Sequence, residues 1–323
     1  MEYRNLGASG LRISELGLGS WLTHGGSVAE AASAELIHAA YAAGINFFDT
    51  ANMYAKGAAE QILGRALRDY ARSSYVIGTK VYFAMGDGPN DRGLSRKHIM
   101  EQCEASLRRL GTDYIDLYQC HRYDPRTPLE ETLRAMDDLV TQGKVLYVGV
   151  SDWSAVQIGD ALRLAKELNL DRIVSHQPQY NMFFRWIEPD VLPLCEREGI
   201  GQVLYSPLAQ GVLSGKYKPA SAPPADSRAA DPNSNMHMGW LIREEHLRQV
   251  EQLRPIAARN GLTIPQLALA WNLRHRIVSS CIIGASRLGQ IEENIRASGV
   301  KLSSEDLAEI ETILANKPVP HAG

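Results

Sequence analysis

Eight short apolar runs separated by stretches of helical period set the strongest constraint on how this chain can fold. The runs fall at 13–19, 45–48, 75–79, 114–118, 145–150, 172–176, 201–204 and 278–283, and each has the length of a β-strand. Between them, 29–43, 59–70, 96–110, 129–142, 155–168 and 187–198 repeat their apolar side chains at helical spacing. Two more helical stretches, 244–260 and 264–275, precede the last run, and a C-terminal helix over 304–315 is expected to cap the assembly. Strands that alternate with helices run parallel, because parallel neighbours need a crossover connection. Gly7, Ser9 and Gly10 mark an N-terminal β-hairpin ahead of the first run. A long loop after strand 7, over 209–240, is rich in Gly, Pro, Ser, Ala and Asn without any period, and loops of that length usually serve function. The pattern predicts an α/β fold, a single (β/α)8 TIM barrel domain over 1–323, with a doubly wound open sheet as the competing architecture.

Composition narrows the function classes. Hydrophobic residues at 45% and charged residues at 22% supply an ordinary globular core. A formal net charge of -3 offers no broad positive field for phosphate backbones, so nucleic acid is not an expected partner. No run of about eighteen apolar residues appears and the first residues do not read as a secretory signal, so a cytoplasmic protein without a membrane span is expected. The four cysteines, Cys103, Cys120, Cys195 and Cys281, form no CxxC pair. His24, His38, His98, His176, His237, His246 and His275 show no metal-ligand spacing, so no metal is expected.

Polar residues concentrate where the apolar runs end. Ser20 and Trp21 follow the first, Asp49 the second, Lys80 the third, His121 the fourth, Ser151 and Asp152 the fifth, Gln177 the sixth, and Tyr205 and Ser206 the seventh. In a parallel barrel these points converge on the rim that carries catalysis. Taken singly, an Asp after a strand is usually a turn or cap residue, a Lys a solvated charge, and a His structural. Jointly, Asp49, Lys80 and His121 hold equivalent positions on three successive strands. Competing motifs fail: Gly17 and Gly19 open a dinucleotide fingerprint whose sixth position is Leu22, GVLSGK at 211–216 is one residue short of a phosphate loop, and Gly149-Val150-Ser151 lacks the second glycine of a nucleophile elbow.

This residue set suits carbonyl reduction. Reduction needs a hydride, which no side chain supplies, so a nicotinamide is required, and it needs a proton for the oxygen. Tyr54, five residues beyond Asp49, is the candidate acid. A neighbouring Lys80 ammonium would lower its pKa, Asp49 would hold that ammonium, and His121 would donate a hydrogen bond to the carbonyl oxygen.

The segment FDTANMY at 48–54, GTK at 78–80 and the histidine at a later strand end resemble the catalytic tetrad of the aldo-keto reductase superfamily. The likeness runs from GLGSW at 17–21 through GASRLGQIEEN at 284–294. It implies that Asp49, Tyr54, Lys80 and His121 are the tetrad and that NADPH (NADP+) is the cofactor. It places Ser20 and Trp21 near the nicotinamide, Ser151 and Gln177 on its carboxamide, and the Tyr205 ring against its face. Ser206, Leu208, Gly211 and Lys216 would hold the diphosphate, and Ser286, Gln290, Glu293 and Asn294 the adenosine end. Lys216, Arg228 and Arg287 are the cations available to a 2′-phosphate.

Within the superfamily, RGLSRKHI at 92–99, DPRTPLEETLRAM at 124–136, SPLAQGVLSGKY at 206–217 and NKP at 316–318 are similar to the voltage-gated potassium channel β-subunits and their bacterial relatives. Those subunits carry asparagine where His121 stands, and many relatives carry asparagine or arginine where Asp152 stands. Two functions follow: an enzyme that reduces a small carbonyl substrate, favoured by His121, and a cofactor-binding regulatory or assembly subunit. The same likeness implies a homo-oligomer such as a tetramer. Trp21, Tyr82, Phe83, Tyr123 and the 209–240 loop are expected either to shape the substrate pocket or to pack the rim.

Overall fold

The computed structural model describes residues 1–318 apart from 27, 226, 232–234 and 236–237, so His237 lies outside the described residues. Its centre is a closed barrel of eight parallel strands. In chain order, the hairpin strands are β1 (Tyr3–Asn5) and β2 (Arg12–Ser14). The barrel strands are β3 (Leu16–Gly19), β4 (Phe47–Asp49), β5 (Val76–Val81), β6 (Ile115–Cys120), β7 (Val145–Ser151), β8 (Ser175–Gln177), β9 (Gly201–Leu204) and β10 (Val278–Ile283). Each strand pairs with the next, and β10 closes the ring onto β3. The open-sheet alternative is thereby excluded.

Helices α1 (Glu30–Ala42), α2 (Ala58–Leu67), α3 (Arg96–Leu110), α4 (Leu129–Thr141), α5 (Ala155–Leu168) and α6 (Val191–Glu198) form the crossovers between β3 and β9. Helices α7 (Glu244–Arg259) and α8 (Ile264–Asn272) lie between β9 and β10, and α9 (Leu288–Asn294) and α10 (Ser304–Leu314) follow. Local chemistry sets several ends. Ser95 accepts the His98 N–H at the start of α3, whose far end turns on Gly111 at φ +66. Ser154 with Gln157, and Thr263 with Gln266, make capping boxes on α5 and α8.

Three expectations shift in detail. The run 13–19 divides at Glu15: its first part pairs antiparallel in the hairpin and its second enters the barrel. The buried Glu15 carboxylate holds that corner, accepting from Arg4 Nε at 2.7 Å and from the Gly299 N–H at 2.8 Å. The helix expected from 187 begins only at Val191, because Glu188 precedes Pro189 and is pushed away from helical backbone angles. The C-terminal helix lies along α7, where Arg259 Nε donates to Asp306 at 2.7 Å and Gln249 donates to the Leu314 carbonyl at 2.8 Å.

The hairpin, not the C-terminal helix, closes the barrel floor. Phe47, Val76, Leu117, Val203 and Ile282, from five strands, pack with Leu6 and Ile13 of the hairpin as a core separate from the one shared with the helices. The approach is close: a Cβ at Gly201 would stand 2.4 Å from the Gly7 nitrogen. Gly17 has a similar duty, since a Cβ there would meet the Phe47 ring at 2.6 Å. The glycines that began an incomplete nucleotide fingerprint therefore admit barrel side chains.

This floor predicts a measurable cost. Phe47 is fully buried. Phe47→Ala should lower conformational stability by about 3–5 kcal/mol in chemical denaturation, with far-ultraviolet circular dichroism unchanged. A loss below about 1 kcal/mol would show that the barrel tolerates an empty floor.

Candidate active site

The opposite end of the barrel is polar, and at its centre is a buried ion pair whose lysine is fully enclosed and whose aspartate borders the cavity. Asp49 closes β4 and Lys80 lies within β5, and their register brings Lys80 Nζ to 2.6 Å from Asp49 Oδ2. The ammonium also donates to the Thr50 carbonyl at 2.7 Å, and Gln177 Nε2, from β8, donates to Asp49 Oδ1 at 2.8 Å. Burial presses both partners toward neutrality, raising Asp49 and lowering Lys80, and each charge opposes the shift in the other.

Tyr54 and His121 stand over this pair. Lys80 Nζ is 5.2 Å from the centre of the Tyr54 ring, and the Tyr54 and His121 rings meet edge to face at 5.8 Å. Phe83 packs edge to face on His121 at 4.9 Å. His121 has a pKa well below its ordinary value, through burial first and then the Lys80 and Arg122 charges, so its imidazole is neutral. Its buried Nδ1 has no hydrogen-bond partner among the described residues.

The phenol departs from expectation. Burial raises the Tyr54 pKa, Asp49 raises it further, and Arg122 is the cation that opposes them. Lys80 was expected to lower it, but that cation is matched at 2.6 Å by Asp49, and desolvation decides the sign.

A cavity of about 970 Å³ opens above these groups. Asp49, Tyr54 and His121 line it, whereas Lys80 lies beneath its surface. Of the residues expected to hold cofactor, Trp21, Ser151, Gln177, Tyr205, Ser206, Leu208, Gly211, Lys216, Arg228, Ser286, Gln290, Glu293 and Asn294 line the same wall. Ser20 is set behind it, its hydroxyl donating to the Asp49 carbonyl at 3.1 Å. The aromatic set divides: Trp21, Phe83 and Trp240 line the cavity, while Tyr123 packs on Trp153 at 4.9 Å and Tyr82 on Phe83 at 5.2 Å.

The far end of the cavity is made by the segment after β9 and by the start of α9. Residues Ala209, Gln210 and Gly211 take φ of +47, +55 and +99, turning the chain sharply beneath Lys216. Arg228, half-buried in this wall, donates to Gln210 Oε1 at 3.4 Å, and burial lowers its pKa against the pull of Tyr217 and Asp231. Gln290 Oε1 accepts the Ser286 N–H at 2.7 Å.

Sequence reasoning passed over Arg122. It follows His121, lines the cavity and approaches Asp152 Oδ2 at 3.2 Å. The available signal was its place directly after a strand-end histidine. Among the described residues, no helix is long and apolar enough to cross a membrane, and no cluster of His, Cys, Asp and Glu has the form of a metal site.

Comparison with known proteins gives one consistent picture. The Aldo/keto reductase family model matches residues 15–315. The chain is 45% identical to a probable voltage-gated potassium channel subunit beta of Oryza sativa subsp. japonica and 45% identical to one of Arabidopsis thaliana. Each match covers 98% of this chain and 98% of the relative.

The buried pair yields a stability test. Lys80→Met strands the Asp49 carboxylate without a counter-charge and should cost about 3–5 kcal/mol. Adding Asp49→Asn should recover part of that loss. In Lys80→Met alone, Asp49 binds its proton more tightly folded than unfolded, so stability should rise as pH falls toward its raised pKa. Additive losses in the double variant would refute the coupling.

Proposed function

Because the chain belongs to the aldo/keto reductase family, we propose that it reduces an aldehyde or ketone to the alcohol with NADPH, taking the proton from Tyr54. The supporting observation is that Tyr54 and His121 share one continuous cavity with Tyr205, Gln177, Arg228 and Ser286. The residues present fit the cofactor by chemistry. An aromatic face and amide groups stand at the tetrad end, and Lys216, Arg228 and Arg287 stand where an anionic end would lie. Bound there, NADPH would supply the hydride and leave as NADP+.

The chain's own residues would do the rest. His121, neutral, would donate a hydrogen bond to the substrate oxygen and orient it toward Tyr54. Tyr54 would pass its proton to that oxygen as the carbonyl carbon is reduced, and Lys80, held by Asp49, would stand behind the phenolate that forms. Met53, Phe83, Trp21 and Trp240 would bound the space for the substrate's remaining atoms. A homo-oligomeric, cytoplasmic protein organised as one domain fits this reading.

The relatives' names support a second reading, a cofactor-binding subunit of a channel. Turnover separates the two. With a panel of carbonyls assayed by loss of NADPH absorbance, the wild type should turn over. Tyr54→Phe should lose about a hundredfold to ten-thousandfold in kcat while binding NADPH as before. A wild type that binds NADPH without turnover would favour the subunit reading, and a Phe variant with unchanged kcat would remove Tyr54 as the acid.

Cofactor choice rests on charge. Arg228→Ala combined with Arg287→Ala should weaken NADPH binding by roughly 2–4 kcal/mol, at about 1.5–3 for each charge-assisted bond less solvent screening. NADH binding should scarcely change. Fluorescence titration of both cofactors decides it, and equal losses for the two would sink the 2′-phosphate assignment.

A further inference from the structure

We infer that Asp152 is a positioning residue that fixes the Tyr205 ring, and with it the nicotinamide end of the cavity, in register with His121. The inference deepens the NADPH reading and rests on it. Asp152 stands one residue past β7 and takes φ +51, a conformation rare for a side chain larger than glycine. Its backbone N–H donates to the Gln177 carbonyl at 3.2 Å, and its Oδ1 accepts the Gln179 N–H at 3.1 Å. Its Oδ2 accepts the Tyr205 hydroxyl at 2.6 Å and lies 3.2 Å from Arg122 Nη1. One side chain thus braces the ends of β6, β7, β8 and β9.

A plain turn role would account for the backbone angle and the bond to Gln179, since Asp and Asn tolerate this conformation and often bond the backbone nearby. It does not account for the two partners on Oδ2, which come from the neighbouring strand end on one side and from two strands away on the other. Asp152 itself does not line the cavity, whereas Arg122, Gln179 and Tyr205 all do. Its carboxylate acts through what it holds. The backbone of Tyr205 is already fixed, because its N–H donates to the Pro178 carbonyl at 3.1 Å and its carbonyl accepts the Tyr180 N–H at 3.3 Å. The hydroxyl bond to Asp152 then fixes the remaining freedom, the direction of the ring. Burial and the Asp152 charge raise the Tyr205 pKa, so the phenol is the donor in this bond. On the other side of the carboxylate, Arg122 also donates to the His121 carbonyl. The aromatic face and the imidazole strand end are therefore tied to one anion.

The test compares the full-length wild type with Asp152→Asn, using NADPH and adenosine 2′,5′-bisphosphate, which lacks the nicotinamide half, as the two probes. Asparagine keeps the shape and the acceptor for Gln179 but offers an N–H₂ to Tyr205 and Arg122. The variant should bind NADPH about tenfold more weakly, the scale of one lost charge-assisted hydrogen bond, and bind the bisphosphate as the wild type does. Its kcat should fall with a preserved substrate KM. Tyr205→Phe keeps the ring but removes its bond to Asp152, so it should reproduce the same split, and the double variant should be no worse than Asp152→Asn. If Asp152→Asn does not fold, the Tyr205→Phe comparison carries the test. Equal weakening of both probes, or NADPH binding unchanged in the variants, overturns the positioning role alone. A wild type that takes neither probe overturns the NADPH reading and this inference with it.

Discussion

The whole rim is arranged around a lysine that has no contact with water. Moving a carboxylate and an ammonium into a barrel interior costs more than their attraction returns unless every remaining polar valence is met. Here the Thr50 carbonyl takes a second ammonium hydrogen at 2.7 Å and Gln177 donates to the second carboxylate oxygen at 2.8 Å. These bonds draw on β4, β5 and β8, so the pair also fixes how far apart those strand ends lie. It can do so because the other end of the barrel is apolar and sealed. Leu6 and Ile13 from the hairpin pack with Phe47 at the floor, and all three are fully buried, as is Lys80. An N-terminal element far from the chemistry thereby maintains the low dielectric in which the chemistry would occur.

Much of this was legible in the sequence, and the misses share a cause. Strand and helix alternation survives in one dimension because each element buries a face at its own period. Where two elements share one apolar run, as at 13–19, the period continues across the join, and only the charge of Glu15 marks the corner. At the site, Asp49, Lys80 and His121 stood out because each ends or nearly ends an apolar strand. Arg122 did not, since a charge in a loop reads as solvated. The bonds among Arg122, Asp152 and Tyr205 join three loops, and no local pattern announces that their side chains converge. The direction of the Tyr54 shift was missed for a related reason: neighbouring charges can be listed from the chain, but desolvation depends on the finished packing.

Backbone strain follows the same division of the molecule. Where the hairpin meets the floor, the left-handed positions are glycines, Gly7 and Gly199, which adopt that conformation without steric cost. On the rim, Asp152, Ser206, Ala209 and Gln210 take positive φ with side chains attached. Each such residue is disfavoured by roughly 1–3 kcal/mol and persists only where its surroundings impose it. Asp152 is held by its carboxylate bonds, and Ser206 by the Asn181 amide that donates to its carbonyl at 3.0 Å. Ser206 and Gln210 lie in the cavity wall itself, and Asp152 and Ala209 directly beside residues that line it.

The opposed pKa directions at the centre show how burial and charge divide there. Before any ligand binds, burial keeps Tyr54 protonated, and His121 neutral beside it. On the proposed reading, a Tyr54 phenolate would be a strong base in a site that disfavours negative charge. Lys80 Nζ lies 5.2 Å from the ring centre, and the same burial weakens its hold on its own proton. Desolvation therefore raises the proton affinity of Tyr54 and lowers that of Lys80, and the ion pair with Asp49 opposes the second effect. On the proposed reading, Arg122 and the buried Lys80 would both stand as positive charge toward a Tyr54 phenolate.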